Sequence, residues 1–267
     1  MAVIPNKVKT RLMAGIKKFQ PILNTAKAKD INESDTIVII TDMLSELFGF
    51  DKYSEITSEY AIKKTYCDLA IKVDGKLRFL LEAKAIGLEL KDDYIKQALD
   101  YGANAGVDWV ILSNGYIWRI YKISFTKPIE NELVYEIDLL NINPKKQSDI
   151  ELLYCISKEG LGKSLLEEYH LQKQASSRFL IGQIILSDTV INSIKKTLKK
   201  VLPDAKITDD EISAVLFNEV LKREVLEGEK AKEAKRKINK ALKATVKKAA
   251  SKPASQEKNS ETAKKQL

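Results

Sequence analysis

The chain has 267 residues, 44% of them hydrophobic and 31% charged, a balance that suits a folded core and contains no run near the ~18 apolar residues of a membrane span. Its net charge is +8 and it has one histidine, His170. That excludes zinc peptidases with two histidine ligands and His-Asn-His nucleases, and leaves catalysis to carboxylates, lysines and a bound metal ion.

The N-terminal stretch MAVIPNKVKTRLMAG lacks the apolar centre of a signal peptide, so a cytoplasmic protein is expected. Cys67 and Cys155 are too few for a disulfide framework and suit a reduced interior. His170, in SLLEEYHLQKQ, reads as a surface position on a helix.

Residues 1–30 form a basic helical segment, with Val8, Leu12, Ile16 and Phe19 at helical spacing. Asn32-Glu33-Ser34-Asp35 then caps a helix that stops at Gly49. Three strands are predicted at Tyr53–Ile62, Tyr66–Val73 and Lys76–Lys84, the last two joined by an Asp74-Gly75 hairpin. A helix over Lys91–Asn104 separates them from strands at Asp108–Leu112, Tyr116–Ile123 and Glu132–Leu139, with Asn114-Gly115 as a second hairpin turn. From about residue 145 everything reads as helix, with breaks at Gly160–Gly162, Pro203-Asp204 and Thr208-Asp209.

The expected division is therefore a basic segment (1–30), a mixed α/β domain (31–144), a helical accessory region (145–221) and a basic tail (222–267). The apolar stripe Ile181, Ile184, Ile185, Val190, Ile191 and Ile194 reads as core of the accessory region. Residues 222–267 hold 15 Lys and Arg against 6 Glu, a net of +9, so the rest of the chain is at −1. The tail begins as an Ala/Glu/Lys helix, and its last ~18 residues have nothing to bury against the entropy of ordering. Two readings stand for it: a polyanion contact through phosphates, or a solvated, solubilising helix.

Asp68 lies on the second strand, in YCDLAIKV; Glu82 and Lys84 end the third, in FLLEAK. Side chains alternate along a strand, so Glu82 and Lys84 share a face. Pairing about the hairpin sets Asp68 opposite Leu81, one residue from Glu82, an offset a bulge absorbs. Two adjacent carboxylates in an apolar sheet need a cation, and hard oxygen donors suit Mg²⁺ or Mn²⁺. A lysine beside them can orient a water or offset charge on a phosphate under attack. The plainer alternative is an edge-strand ion pair between Glu82 and Lys84. Gln97 and Tyr101, four residues apart, share one face of the following helix. Glu33 can approach the metal from the preceding helix, and Glu59 can line the same pocket.

The ordered set Glu33…Asp68…Glu82-Ala83-Lys84…Gln97…Tyr101, followed by WVILSNGYIWRIY, resembles the PD-(D/E)XK nuclease superfamily. Within it, the order closely resembles the N-terminal nuclease domain of type I restriction enzyme R subunits, and single-domain relatives with that domain, over about residues 30–140. The resemblance implies an α/β fold with a restriction-endonuclease-like αβββαβ core, followed here by an all-helical C-terminal region. It also implies a DNA endonuclease of restriction-modification type. Asp68, Glu82 and Glu33 would ligate Mg²⁺, Lys84 would assist the attacking water, and Gln97 and Tyr101 would support catalysis. A homodimer or a partner protein is compatible with cutting both strands.

The family's ATP-driven motor has no counterpart. Ser157–Ser164 (SKEGLGKS) ends like a phosphate loop but starts with Ser157 where glycine is needed, so it reads as a helix-to-helix loop and no ATP use is expected. Lys7, Lys9, Arg11, Lys17 and Lys18 are the expected phosphate contacts of the N-terminal helix. A catalytically silent nucleic-acid-binding or regulatory module on the same fold is the alternative reading.

Overall fold

Left-handed backbone is tolerated by Gly, Asp and Asn, and the two predicted hairpins use it: φ is 52° and 71° at Asp74 and Gly75, and 90° at Gly115. The computed structural model describes residues 3–62, 65–125 and 129–250, without the side chains of Ile62, Thr65, Asp92, Gln97, Ala98, Leu99, Tyr101 and residues 242–250. The chain opens with α1 (Asn6–Ala28) and α2 (Glu33–Glu46). Strands β1 (Ile56–Ile62), β2 (Thr65–Val73) and β3 (Lys76–Ala83) follow, then α3 (Asp92–Ala105), then β4 (Trp109–Ser113), β5 (Ile117–Ser124) and β6 (Glu130–Asp138).

The strands form one mixed sheet in sequence order. Every neighbouring pair is antiparallel except β3–β4, which is parallel. A parallel neighbour cannot be reached by a tight turn, and α3 is the crossover that this pair requires. The sheet separates two apolar clusters. Leu69, Ile71, Phe79, Leu81, Ile111 and Ile120 join the larger one with Leu12, Ile16 and Leu23 of α1 and Ile40 and Leu44 of α2. Ala70, Leu80, Val110 and Leu112 join the smaller one with Leu90 and with Ile95 of α3.

The chain turns wholly helical at α4 (Gln147–Cys155), near the predicted boundary, but the first compact unit runs on to His170. Ile150, Leu153 and Tyr154 of α4, Leu161 of α5 (Lys158–Gly162) and Leu165 and Leu166 of α6 (Leu165–Ala175) share the core that holds the basic helix α1. Residues 158–162 are thus a short helix rather than a loop. Ser157 caps it by accepting from the Gly160 N–H at 3.2 Å, and a Cβ at Gly160 would strike the Tyr154 carbonyl. His170 is no surface residue: its side chain is 12% exposed, its Nε2 lies 3.0 Å from Glu132 Oε2, and its ring meets Trp109 edge-on.

The second unit, Leu171–Leu267, contains α7 (Arg178–Ile185), α8 (Asp188–Val201), α9 (Asp209–Val215), a π-helical turn (Leu216–Val220), α10 (Arg223–Leu226) and α11 (Glu229–Ala250). A reciprocal capping box between Thr208 and Glu211 starts α9 where the sequence signal lies. The predicted core stripe holds only in part, with Ile185, Val190 and Ile194 half-buried. Ile191 is buried, whereas Ile181 and Ile184 are 45% and 42% exposed. The stripe is broken at Leu186–Ser187, so its residues fall on two helices and no single face carries them. Residues 251–267, predicted to lack a core, lie outside the described residues. No helix among the described residues is long and apolar enough to cross a membrane.

Candidate active site

The β2–β3 ladder brings the acidic pair together through a bulge. Next to the turn, Val73 pairs with Lys76 and Lys72 with Leu77; beyond it, Ile71 pairs with Phe79 and Leu69 with Leu81. Arg78 is the extra residue, and the register slips by one. Continuing the ladder by one residue sets Asp68 against Glu82. The Asp68 carboxylate then accepts the Ala83 backbone N–H at 2.7 Å, locking the two strand ends together.

Lys84 leaves β3 with its backbone N–H donating to the Ser113 carbonyl of β4 at 2.8 Å. Its Nζ donates to Glu82 Oε1 at 2.8 Å and lies 3.6 Å from Glu33 Oε2 at the start of α2. Asn32 caps α2 by accepting from the Asp35 N–H at 2.9 Å, which places Glu33 in its first turn. The segment after Lys84 is tied down twice: Asn114 Nδ2 donates to the Leu88 carbonyl at 2.8 Å, and Arg119 Nη1 to that of Leu90 at 2.7 Å.

The electrostatics follow from this crowding. Glu82 is 4% exposed, and its Oε2 is buried with no hydrogen-bond partner among the described residues. Burial raises its carboxyl above the ordinary range; the Lys84 hydrogen bond opposes the rise, and Asp68 and Glu33 add to it. Burial raises Asp68 as well, opposed by the Ala83 N–H and Lys84 and reinforced by Glu33 and Glu59. For Lys84 burial favours the neutral amine, but the Glu82 hydrogen bond and the fields of Glu82, Glu33 and Asp68 outweigh it, so its pKa is raised. The neighbouring Cys67 thiol is pushed up to about 12, by burial first and then by Glu82 and Asp68. It is an inert core thiol at neutral pH.

Glu59 falls opposite Asp68 between the Ser58–Leu69 and Tyr60–Cys67 pairs; it is exposed, with φ at 49°. Gln97 and Tyr101 are on α3 as predicted, but their side chains lie outside the described residues. Tyr94, which the sequence reading passed over, puts its ring centroid 6.0 Å from Lys84 Nζ. Its signal was present: residues 94, 97 and 101 are spaced i, i+3 and i+7.

The five basic residues of α1 fare differently. Arg11 is bound into the fold, donating to Glu159 at 2.6 and 2.7 Å and to the Leu47 and Phe48 carbonyls at 3.1 Å. Lys9 donates to Gln147 at 2.9 Å, and Lys18 pairs with Glu46. Lys7 and Lys17 are exposed.

Among the described residues, no three His, Cys, Asp or Glu side chains are grouped as a metal cage. A magnesium-type ion does not need one. It is commonly held by one or two carboxylates and completes its octahedron with water and substrate phosphate oxygens. Asp68 and Glu82, with the unpartnered Glu82 Oε2, fit that donor set. Compared with family models, with curated proteins and with solved structures, the chain matches none.

Proposed function

We propose that the protein is a Mg²⁺- or Mn²⁺-dependent DNA endonuclease, with residues 31–144 as a restriction-endonuclease-like αβββαβ core. One observation carries the reading. Two adjacent carboxylates with raised proton affinity, one with a buried unpartnered oxygen, share a site with a lysine 2.8 Å from Glu82. An ion pair that served only to hold an edge would not need burial, a third carboxylate and an orphaned oxygen, each of which costs stability.

Asp68 and Glu82 are the residues that would hold the cation. When bound, it would supply Lewis-acid stabilisation of the charge that develops on a phosphate under attack. Lys84 answers to two carboxylates at rest. With those engaged elsewhere, its ammonium donates to a non-bridging phosphate oxygen and orients the incoming water. That water forms the new P–O bond as the bridging P–O bond breaks; its proton passes to solvent, and the leaving oxygen takes up a proton from solvent, so the two transfers cancel. Glu33 positions Lys84 from α2, and α3 brings the Tyr94 ring to 6.0 Å from Lys84 Nζ; Gln97 and Tyr101 are the other α3 residues proposed to support catalysis.

The test is cleavage of supercoiled, linear and single-stranded DNA, and of RNA, with Mg²⁺, Mn²⁺ or EDTA. Wild type should cut DNA only with metal. Lys84→Ala should lose about 10²-fold or more in rate while binding DNA in EDTA with unchanged affinity. Cleavage by Lys84→Ala at the wild-type rate would remove the mechanism. Binding without cleavage by either protein would establish the silent nucleic-acid-binding module instead.

A further inference from the structure

Charge divides between the two units more sharply than along the sequence. Residues 171–267 hold 22 Lys and Arg against 12 Asp and Glu, a net of +10; residues 1–170 hold 23 against 25, a net of −2. A small part of the positive charge in the second unit is matched locally by ion pairs. Arg178 pairs with Glu224, Lys195 with Asp209, Lys232 with Glu229 and Lys237 with Glu233.

The second half of α8 gathers three exposed lysines on one side of a helix. Lys196, Lys199 and Lys200 are exposed, and among the described residues none of them makes an ion pair. They lie at i, i+3 and i+4, so their stems leave one side of the helix about 5–6 Å apart. Asn192 and Ser193 extend the polar stripe one turn back, both exposed. The opposite stripe is apolar and turned inward: Ile191 is 5% exposed, and Ile194 and Leu198 are half-buried.

We infer that α8 is a phosphate-docking surface of this protein, through which double-stranded DNA is held without reading its sequence. The choice of DNA as the polyanion rests on the nuclease reading; the surface itself does not. Lysines in the last turn of a helix complement its dipole, and Lys199 and Lys200 are so placed. Lys196 lies a turn earlier, where that benefit has faded. A membrane-surface helix would need its apolar stripe free for acyl chains. On α8 that stripe is occupied by the unit's own packing, and only Val201 and Leu202 at its end are exposed apolar residues. On α1, by contrast, Arg11, Lys9 and Lys18 are engaged within the fold, and the exposed Lys7 and Lys17 are ten positions apart rather than clustered on one turn.

The experiment measures binding of full-length protein to a short DNA duplex by fluorescence anisotropy, in EDTA, across roughly 50–200 mM salt. The triple variant Lys196→Gln, Lys199→Gln, Lys200→Gln should bind about ten-fold more weakly at low salt. Its plot of log affinity against log salt should be shallower by roughly 2–3, since each lost phosphate contact removes about 0.9. The control Lys76→Gln, Lys145→Gln, at exposed lysines of the first unit, should keep the wild-type slope. Single Lys200→Glu guards against misfolding of the triple variant and should weaken binding in the same direction. An unchanged slope in the triple variant overturns the inference. So does loss of binding to phosphatidylserine vesicles with DNA binding intact. Cleavage with an unchanged slope would sink the docking surface and leave the nuclease standing; a shallower slope without metal-dependent cleavage would do the reverse.

Discussion

The two compact units of this chain solve the problem of burial differently. The first packs helices on both faces of a six-stranded sheet and buries whole side chains such as Trp118, Phe48, Phe79 and Leu12. In the second, the buried apolar side chains among the described residues are Ile191, Ile212, Ala231 and Ala234. Val201, Leu202 and Val220 are more than half exposed. A sheet supplies two faces against which helices can bury a stripe, whereas short helices packed on one another leave much of each cylinder in water. Precision follows burial. The proposed active site, which needs atoms fixed to a fraction of an ångström, is on the sheet, and the proposed docking surface, which needs only positive charge, is on the helices.

That contrast can be broken most directly in the cores. Leu12→Ala should cost on the order of 2–5 kcal/mol, and Ile184→Ala less than about 1 kcal/mol, by denaturant unfolding. Similar losses at both positions would mean the second unit is as tightly packed as the first.

The same comparison applies to ion pairs. Arg11→Ala, which strands Glu159 and two carbonyls in the first unit, should cost about 2 kcal/mol. Arg178→Ala, whose pair with Glu224 is about 60% exposed on both sides, should change thermal stability little, at most ~0.5 kcal/mol. An Arg11 variant that folds normally but loses DNA binding would return α1 to the role of phosphate contact.

The smallest expected effect sharpens the account of the site. A carboxyl whose pKa is raised in the folded state holds its proton more tightly there than in the unfolded chain. Stability is therefore lost as pH rises from the ordinary carboxylate range through the folded pKa. Asp68→Asn keeps an oxygen to accept the Ala83 N–H but removes one negative charge. It should raise the melting temperature of the metal-free protein at neutral pH, and should abolish any rise caused by Mn²⁺. A lower melting temperature in EDTA would show that Asp68 serves the fold and not a cation.

How far each feature was legible depended on its range. The Asp74-Gly75 and Asn114-Gly115 turns, the Asn32 and Thr208 caps and the spacing of Val8, Leu12, Ile16 and Phe19 concern residues a few positions apart. Their preferences are set by backbone sterics and local hydrogen bonds, so the amino-acid order determines them before any packing. The candidates Asp68, Glu82 and Lys84 were legible for a related reason, since one hairpin holds all three.

Tertiary structure decided what passes between distant segments. A bulge at Arg78, rather than turn geometry alone, supplied the one-residue slip that lines Asp68 up with Glu82. Glu33, 51 positions from Lys84, became its neighbour only when α2 packed beside the strand end. Arg11 changed from an expected phosphate contact to a core-edge clamp because Glu159 came to meet it. The Ile181–Ile194 stripe was buried only in part because a break at Leu186–Ser187 divided it between α7 and α8. Charge and periodicity are properties of residues and their neighbours in sequence; whether a charge is paired, or a stripe covered, depends on which surfaces the fold brings against it.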